Sequence, residues 1–240
     1  MDNIRQEYDE ALKFWDNGYE MTAEKKSEQE QKWTPDSDPM DLAYSRQLAS
    51  IIRDELRNQT HVLDYGCGRG WAGMLLRKAG CEKVLGVDVS ARAAESAKHL
   101  AALLGITDGY EAQAIDVTWL SSVPDDAFDG AVTVNVLDVI PPDVTEGILT
   151  QLRRVTAPGA KIVIAMNYYM EPKDNPEKNT VIRYGNHVFL NGILRMVTRT
   201  DAEWQDIFSR YFRVDTLRHY AWNTEENARR RVFTLTNTKA

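Results

Sequence analysis

The stretch from His61 to Gly73, HVLDYGCGRGWAG, gathers the residues whose types and spacing could do chemistry. A carboxylate, Asp64, closes a short apolar run, and Gly66, Gly68 and Gly70 alternate behind it. The pattern reads as strand, tight loop and helix start, because glycine lets the backbone turn sharply and leaves room for a ligand where a β-carbon would stand. The helix expected from Trp71 to Lys78 aims its unpaired amide ends at the loop, favouring a ligand with a negative group or oxygen acceptors. A second carboxylate, Asp88, ends the next apolar run, Lys83 to Asp88, 20 residues beyond Gly68. There it can accept hydrogen bonds from both hydroxyls of a ribose. The chemistry indicated is the binding of a nucleotide-type molecule.

Gly68-x-Gly70-x-x-Gly73 also satisfies the dinucleotide fingerprint, so a nicotinamide oxidoreductase or a non-catalytic nucleotide binder is one reading. Asp64 weighs against it, since an acid at the strand end repels a pyrophosphate and attracts an ammonium group. The first glycine also stands two positions past that acid rather than directly after the strand. An acid followed by Gly-x-Gly-x-Gly resembles the first motif of the class I S-adenosylmethionine-dependent methyltransferases, with Asp64, Gly66, Gly68 and Gly70 at its positions without a gap. The resemblance implies that Asp64 and the loop Tyr65, Gly66, Cys67, Gly68 and Gly70 hold the methionine end of the cofactor S-adenosylmethionine, which carries an amine and no phosphate. It implies that Asp88, with Val89 beside it, serves the ribose. Asp116 would meet the adenine amino group and the Val117 amide a ring nitrogen, while Asn135 closes the strand along the reacting edge. Phe128-Asp129 and the turn Ala157-Pro158-Gly159-Ala160 extend the likeness, which covers about residues 60 to 167. Two family signatures are absent: Leu137-Asp138-Val139 stands in place of Leu-Glu-His, and Asn135 is followed by Val136 rather than by the Asn-Pro-Pro-Tyr edge of amino-methylating relatives.

The elements that must position these residues follow from periodicity. Two strands joined by a helix, ending at Asp64 and Asp88, form a parallel, right-handed βαβ unit. Ser90 is the expected cap of a helix from Ala91 to Leu104, Tyr110 to Ile115 reads as a third strand, and Ala127 to Asn135 as a buried fourth. Asp143 would cap a helix to Val155, with strand five from Lys161 to Asn167. Thr200 with Glu203 reads as a capping box, and Arg213 to Tyr220 and Arg231 to Thr236 as strands six and seven. The expected fold is α/β: a Rossmann-like doubly wound sheet of seven strands, mostly parallel with an antiparallel last strand, helices on both faces. One domain spans 1–240, with an N-terminal arm or lid at 1–40, a cofactor-binding core at 41–167, an inserted hairpin at 168–199 acting as substrate cap, and a closing helix and strands at 200–240.

Within the arm, Tyr8, Ala11, Leu12 and Trp15 fall at helical spacing. Residues 20 to 39 are polar and read as mobile, with Trp33 as an anchor, and Asp41 is the expected cap of a helix over Leu42 to Leu56. After Asn167 come Tyr168 and Tyr169, then two short strands around Asn186 and Asn191-Gly192. Insertions after a fifth strand lie over the carboxyl edge of the sheet. Trp15, Tyr19, Trp33, Asp138, Tyr168, Tyr169 and His187 are therefore the candidates to line an acceptor pocket, although Trp15, Tyr19 and Trp33 could equally staple the arm to the domain.

Methyl transfer from a sulfonium is an in-line displacement that gains most from positioning and water exclusion. It needs no metal, and no spaced His or Cys ligand set occurs. His187, Tyr168, Tyr169, His219 and Asp138 are candidate bases for an oxygen acceptor, none singled out by spacing. Net charge of −7 disfavours a broad nucleic-acid surface. Residues 1–60 carry 8 basic and 14 acidic side chains against 10 and 6 in residues 181–240, a basic excess that could meet an anionic group, although Arg229-Arg230-Arg231 reads as a solvated face bracing a strand. The first residues lack a signal pattern and no apolar run spans a bilayer, so the expectation is a cytoplasmic enzyme with Cys67 and Cys81 as free thiols. The favoured partner is a small-molecule acceptor, with RNA or protein as the alternative; oligomeric state is left open.

Overall fold

The structure is a computed structural model that describes residues 2–239. The chain opens with two helices, α1 (Asp2–Gly18) and α2 (Ala23–Lys32), and reaches α3 (Arg46–Leu56) through a 3-10 turn at Pro39–Leu42. Strands and helices then alternate: β1 (His61–Tyr65), α4 (Trp71–Ala79), β2 (Lys83–Asp88), α5 (Ala91–Leu103), β3 (Tyr110–Ala114), α6 (Trp119–Ser122), β4 (Phe128–Val134), α7 (Pro142–Val155) and β5 (Thr156–Met166). Three inserted strands, β6 (Thr180–Arg183), β7 (His187–Leu190) and β8 (Ile193–Val197), precede α8 (Asp201–Ser209), β9 (Arg213–Tyr220) and β10 (Arg230–Thr236).

Seven strands form one sheet in the order β3-β2-β1-β4-β5-β10-β9. The last strand, β10, runs antiparallel to both its neighbours, and the other pairings are parallel. Because successive side chains on a strand face opposite ways, each strand feeds two cores. Val62, Val132, Val163 and Val232 pack with Leu48 and Ile52 of α3, Met74 and Leu76 of α4 and Leu100 of α5. Their neighbours Leu63, Ala131, Ile162 and Phe233 pack with Leu149 and Leu152 of α7 and Trp204 and Phe208 of α8. The strand order reverses between β1 and β4, so their carboxyl ends open a crevice in which ligands of such sheets bind.

Several local expectations are corrected. Residues 23–32 form a helix, with the Thr22 side chain accepting from the Lys25 amide, although the segment has no buried face. Trp33 follows it and is buried among Leu100 and Leu104. The cap of α3 is Ser45 and not Asp41, which lies inside the 3-10 turn begun by Asp38. Proline stands at the start of α7, Pro141 as cap and Pro142 as first residue, so Asp143 falls in the first turn and caps nothing. The turn at residues 157–160 is absorbed into β5 as an irregularity opposite Phe128 and Gly130. The insertion holds three antiparallel strands rather than two; Asn191 and Gly192, both left-handed at φ 52° and 81°, make the β7–β8 turn. Arg230 and Arg231 are buried, not solvated, because β10 sits inside the sheet. Cys67 and Cys81 are buried free thiols. Among the described residues no helix is long and apolar enough to cross a membrane.

Arm and insertion pack on each other. Ala11 of α1 is buried against Phe189 of β7 and Leu194 of β8, and Arg183 of β6 donates to Glu7 at 2.6 Å. The guanidinium of Arg195 lies 4.4 Å from the Phe14 ring centre and 4.8 Å from that of Trp15. This small cap is tied to the sheet at Asp138, whose carbonyl accepts from Val197 at 2.7 Å and whose carboxylate accepts from Asn167 at 2.8 Å.

Candidate active site

A cavity of about 1420 Å³ lies over the crevice between β1 and β4. Asp64 and Asp88 form its floor together with the loop between β1 and α4. Asp64 is buried, and its Oδ2 accepts from the Gly73 amide at 3.0 Å. Burial pushes its carboxyl up to about 7; the Gly73 hydrogen bond pulls the other way and the nearby Asp88 charge adds to the rise. Asp88 accepts from the Gly68 amide and from the Ser90 amide, each at 2.9 Å. Burial raises its pKa too, against those two hydrogen bonds. The two acids thus hold the loop and the start of the next turn while lining the cavity.

Gly68, left-handed at φ 53°, leaves the loop with no side chain at this point of the cavity lining. A β-carbon there would stand 2.8 Å from the Tyr19 hydroxyl, so the end of the arm rests directly on the loop. Gly70 serves packing instead: a β-carbon would come 2.1 Å from the hydroxyl of Tyr110, away from the cavity lining. Asn135, at the end of β4, is left-handed at φ 56°, and its side-chain oxygen is buried without a donor. A non-glycine residue held there is strained, and an orphan acceptor lining a cavity beside two carboxylates suits a ligand that brings N–H donors. Tyr65, Gly66, Cys67 and Val89 also line the cavity. Burial raises the Cys67 thiol well above its usual range, so it is not an activated nucleophile.

Asp116 and Val117 lie beyond the end of β3, exposed and outside the cavity lining. The Asp116 carboxylate accepts from the Thr118 amide at 2.7 Å and its hydroxyl at 2.6 Å, which holds it below the usual carboxylate range. Of the acceptor candidates, Trp15, Tyr19, Trp33 and Tyr168 line the cavity, whereas Asp138, Tyr169 and His187 do not. Asp138 is fully buried; its Oδ2 accepts from Asn167 while its Oδ1 is buried without a donor, and burial raises its pKa. His187 is buried in β7 beside Asn186 at 3.1 Å; burial first, then Arg199, holds its pKa down. Tyr169 is 44% exposed. His219 pairs with Asp201 at 2.9 Å on β9. No histidine among the described residues lines the cavity.

Sequence reasoning missed the basic residues of the chamber. Arg230 is bound through Nε to both oxygens of Glu225, donates to Asn167 at 2.7 Å, and lies 3.5 Å from the ring centre of Trp222. Arg195 reaches the cavity from β8. The only available signal was the excess of arginine after residue 181. Position within that excess depends on which strand faces the crevice.

Residues 62–159 match a family model described as a methyltransferase domain. The ribosomal protein L11 methyltransferase of Burkholderia mallei is 35% identical over 79 residues, which are 33% of this chain and 23% of that protein. The chain therefore matches less than a quarter of the length of that curated relative. Among solved structures, the 1,6-didemethyltoxoflavin-N1-methyltransferase of Burkholderia thailandensis, with bound 1,6-didemethyltoxoflavin and S-adenosylhomocysteine, superimposes with a TM-score of 0.64 at 19% identity, covering 82% of this chain and 79% of that one. A S-adenosylmethionine-dependent methyltransferase of Methanosarcina mazei also gives 0.64, at 21% identity, covering 79% of this chain and 98% of that one. The matched segment runs from β1 into β5 and contains Asp64, the glycine loop, Asp88 and Asn135. Residues 62–159 thus match a methyltransferase domain, and the fold is the one shared by S-adenosylmethionine-dependent methyltransferases.

Proposed function

We propose that the protein transfers the methyl group of S-adenosylmethionine to a small-molecule acceptor held between the glycine loop and the cap. The observation that carries this reading is the single cavity whose floor is Asp64, Gly68 and Asp88 and whose roof is α1 with the inserted strands. A chamber roofed by two packed segments suits a molecule that can be enclosed, and it suits a long polymer poorly. Asp64 and Asn135 would hold the cofactor's amino acid end, and Asp88 its ribose. The bound cofactor supplies an electrophilic methyl on a sulfonium. The chain's own residues orient the acceptor and exclude water, with Trp15, Tyr19 and Tyr168 as aromatic walls. No general base is assigned: burial raises the pKa of both Tyr19 and Tyr65, which makes either phenol a poor base.

A protein acceptor is the second reading, favoured by the ribosomal protein methyltransferase relatives. The test is a screen of small phenols, amines and carboxylates for release of S-adenosylhomocysteine by the full chain. Turnover with a small acceptor supports the proposal. Release only when a protein is added supports the rival.

A further inference from the structure

The walls of the cavity are electrically unequal. Its cofactor end carries Asp16, Asp64 and Asp88 beside one loop cation, Arg69, whereas the insertion contributes Lys178 and Arg195 and no carboxylate. Arg195 differs from the other interior arginines. Arg230 is paired with Glu225, and Arg231 faces Asp201 at 3.6 Å and feels the charge of Asp138. Arg199 feels Glu203 and Glu146. Arg195 makes no ion pair among the described residues, its Nε–H is buried without an acceptor, and the rings of Phe14 and Trp15 lie against its guanidinium. The pKa of Arg195 is lowered by burial alone, with no carboxylate acting on it. Leaving a half-buried guanidinium with one buried donor unpaired and no counter-charge is costly, and the fold accepts that cost at a position lining the cavity. Ring faces on Phe14 and Trp15 fix the plane of the fork, so its remaining donors are preorganised for a planar two-oxygen partner.

Resting on the small-acceptor reading above, we infer that the acceptor carries a carboxylate and that Arg195 is the residue that binds it. A single planar fork matches a carboxylate, while the more highly charged phosphate calls for several cations. Lys178, exposed at the same wall, adds long-range attraction for an anion. The acids at the other end repel the carboxylate and so bias which way round the acceptor enters.

The test uses the full chain saturated with S-adenosylhomocysteine and titrates benzoate, phenylacetate and the corresponding amides by calorimetry, with phenyl phosphate as a further arm. At least one carboxylate is expected to bind tenfold or more tighter than its amide and than phenyl phosphate. Arg195→Gln should remove that preference and Arg195→Lys should keep part of it, with S-adenosylhomocysteine affinity unchanged in both. Equal binding of acid and amide by the wild-type protein, binding of no carboxylate at all, tighter binding of phenyl phosphate, or an Arg195→Gln variant that retains the preference would each overturn the inference. Because the wild-type comparison needs no substitution, poor folding of a variant does not shield the idea. Failure to bind S-adenosylhomocysteine would instead strike at the cofactor reading beneath it.

Discussion

Two carboxylates in one cavity do different work because their surroundings differ. Asp88 spends both oxygens on backbone amides of the two loops that flank the crevice. On the proposed cofactor reading, replacing it removes a ribose partner and loosens both loops at once. Asp88→Ala is expected to weaken S-adenosylhomocysteine binding by roughly 1.5–3 kcal/mol, the range for hydrogen bonds to a charged group, as read by calorimetry. Asp64 keeps one oxygen on Gly73, and burial brings its pKa to about 7. Its unfolded value lies near 4, so between about pH 4 and pH 7 the folded state binds more protons and stability falls as pH rises. A cationic ligand amine reverses that penalty by favouring the ionised form, so binding strengthens with pH across the same window and releases protons. Asp64→Asn, which preserves the acceptor for Gly73, should flatten the decline in urea-derived stability between pH 5 and pH 7.5. It should also abolish the rise in S-adenosylhomocysteine affinity over that window; an unchanged rise would remove Asp64 from the amine site. These two acids and the glycines were legible in the sequence because a strand end and a tight loop fix them within a few residues of each other. Arg195 and Arg230 were not, since their place depends on how distant strands stack. Asp138 and His187, polar residues in suggestive positions, turn out to be buried in the seam between cap and sheet.

Among the elements, β10 ties the sheet to the segment that follows the insertion. Arg231 on this strand is fully buried, donates to the carbonyls of Asn167 and Arg199, and so joins the end of β5 to the start of α8. Arg231→Ala should cost roughly 3 kcal/mol or more in denaturant unfolding, since carbonyls and the nearby Asp138 and Asp201 charges lose their partner in the interior. A loss under 1 kcal/mol would show that water replaces the guanidinium. Helix α1 is latched at its far end, where Ser90 donates to Asp16 at 2.6 Å and Arg92 donates to Asn17 at 2.8 Å. Ser90 also caps α5, so the arm is fastened to the turn that follows Asp88. Asp16→Ala should speed amide hydrogen exchange across residues 2–18 while leaving β1, β4 and β5 protected; uniform protection would argue that the packing of Ala11 alone holds the arm. Periodicity revealed α1, whose apolar face meets the inserted strands, and α4 and α5, whose apolar faces meet the sheet. It missed α2, whose residues have no buried face to generate a pattern and whose helix rests on the Thr22 cap. It merged β6 into a loop because Thr180–Arg183 alternates half-buried and exposed residues on a small sheet away from the main core.

At the scale of the molecule, arm and insertion come from distant parts of the chain and meet over one crevice. Their contact, Ala11 with Phe189 and Leu194, makes a small core separate from the two that hold the sheet. Sequence alone placed both segments near the carboxyl edge by topology, but their mutual packing joins residues too far apart for any local pattern to signal. The consequence is a roofed but partly open chamber that joins an acidic floor to an aromatic and basic wall. The most direct measurement offers the full chain methyl-labelled S-adenosylmethionine together with purified RNA, ribosomal protein and a mixture of small carboxylates, phenols and amines, then separates the label by size. Label recovered in the small-molecule fraction, and lost with Asp88→Ala, is the predicted result. Label confined to RNA or protein would contradict the small-acceptor assignment.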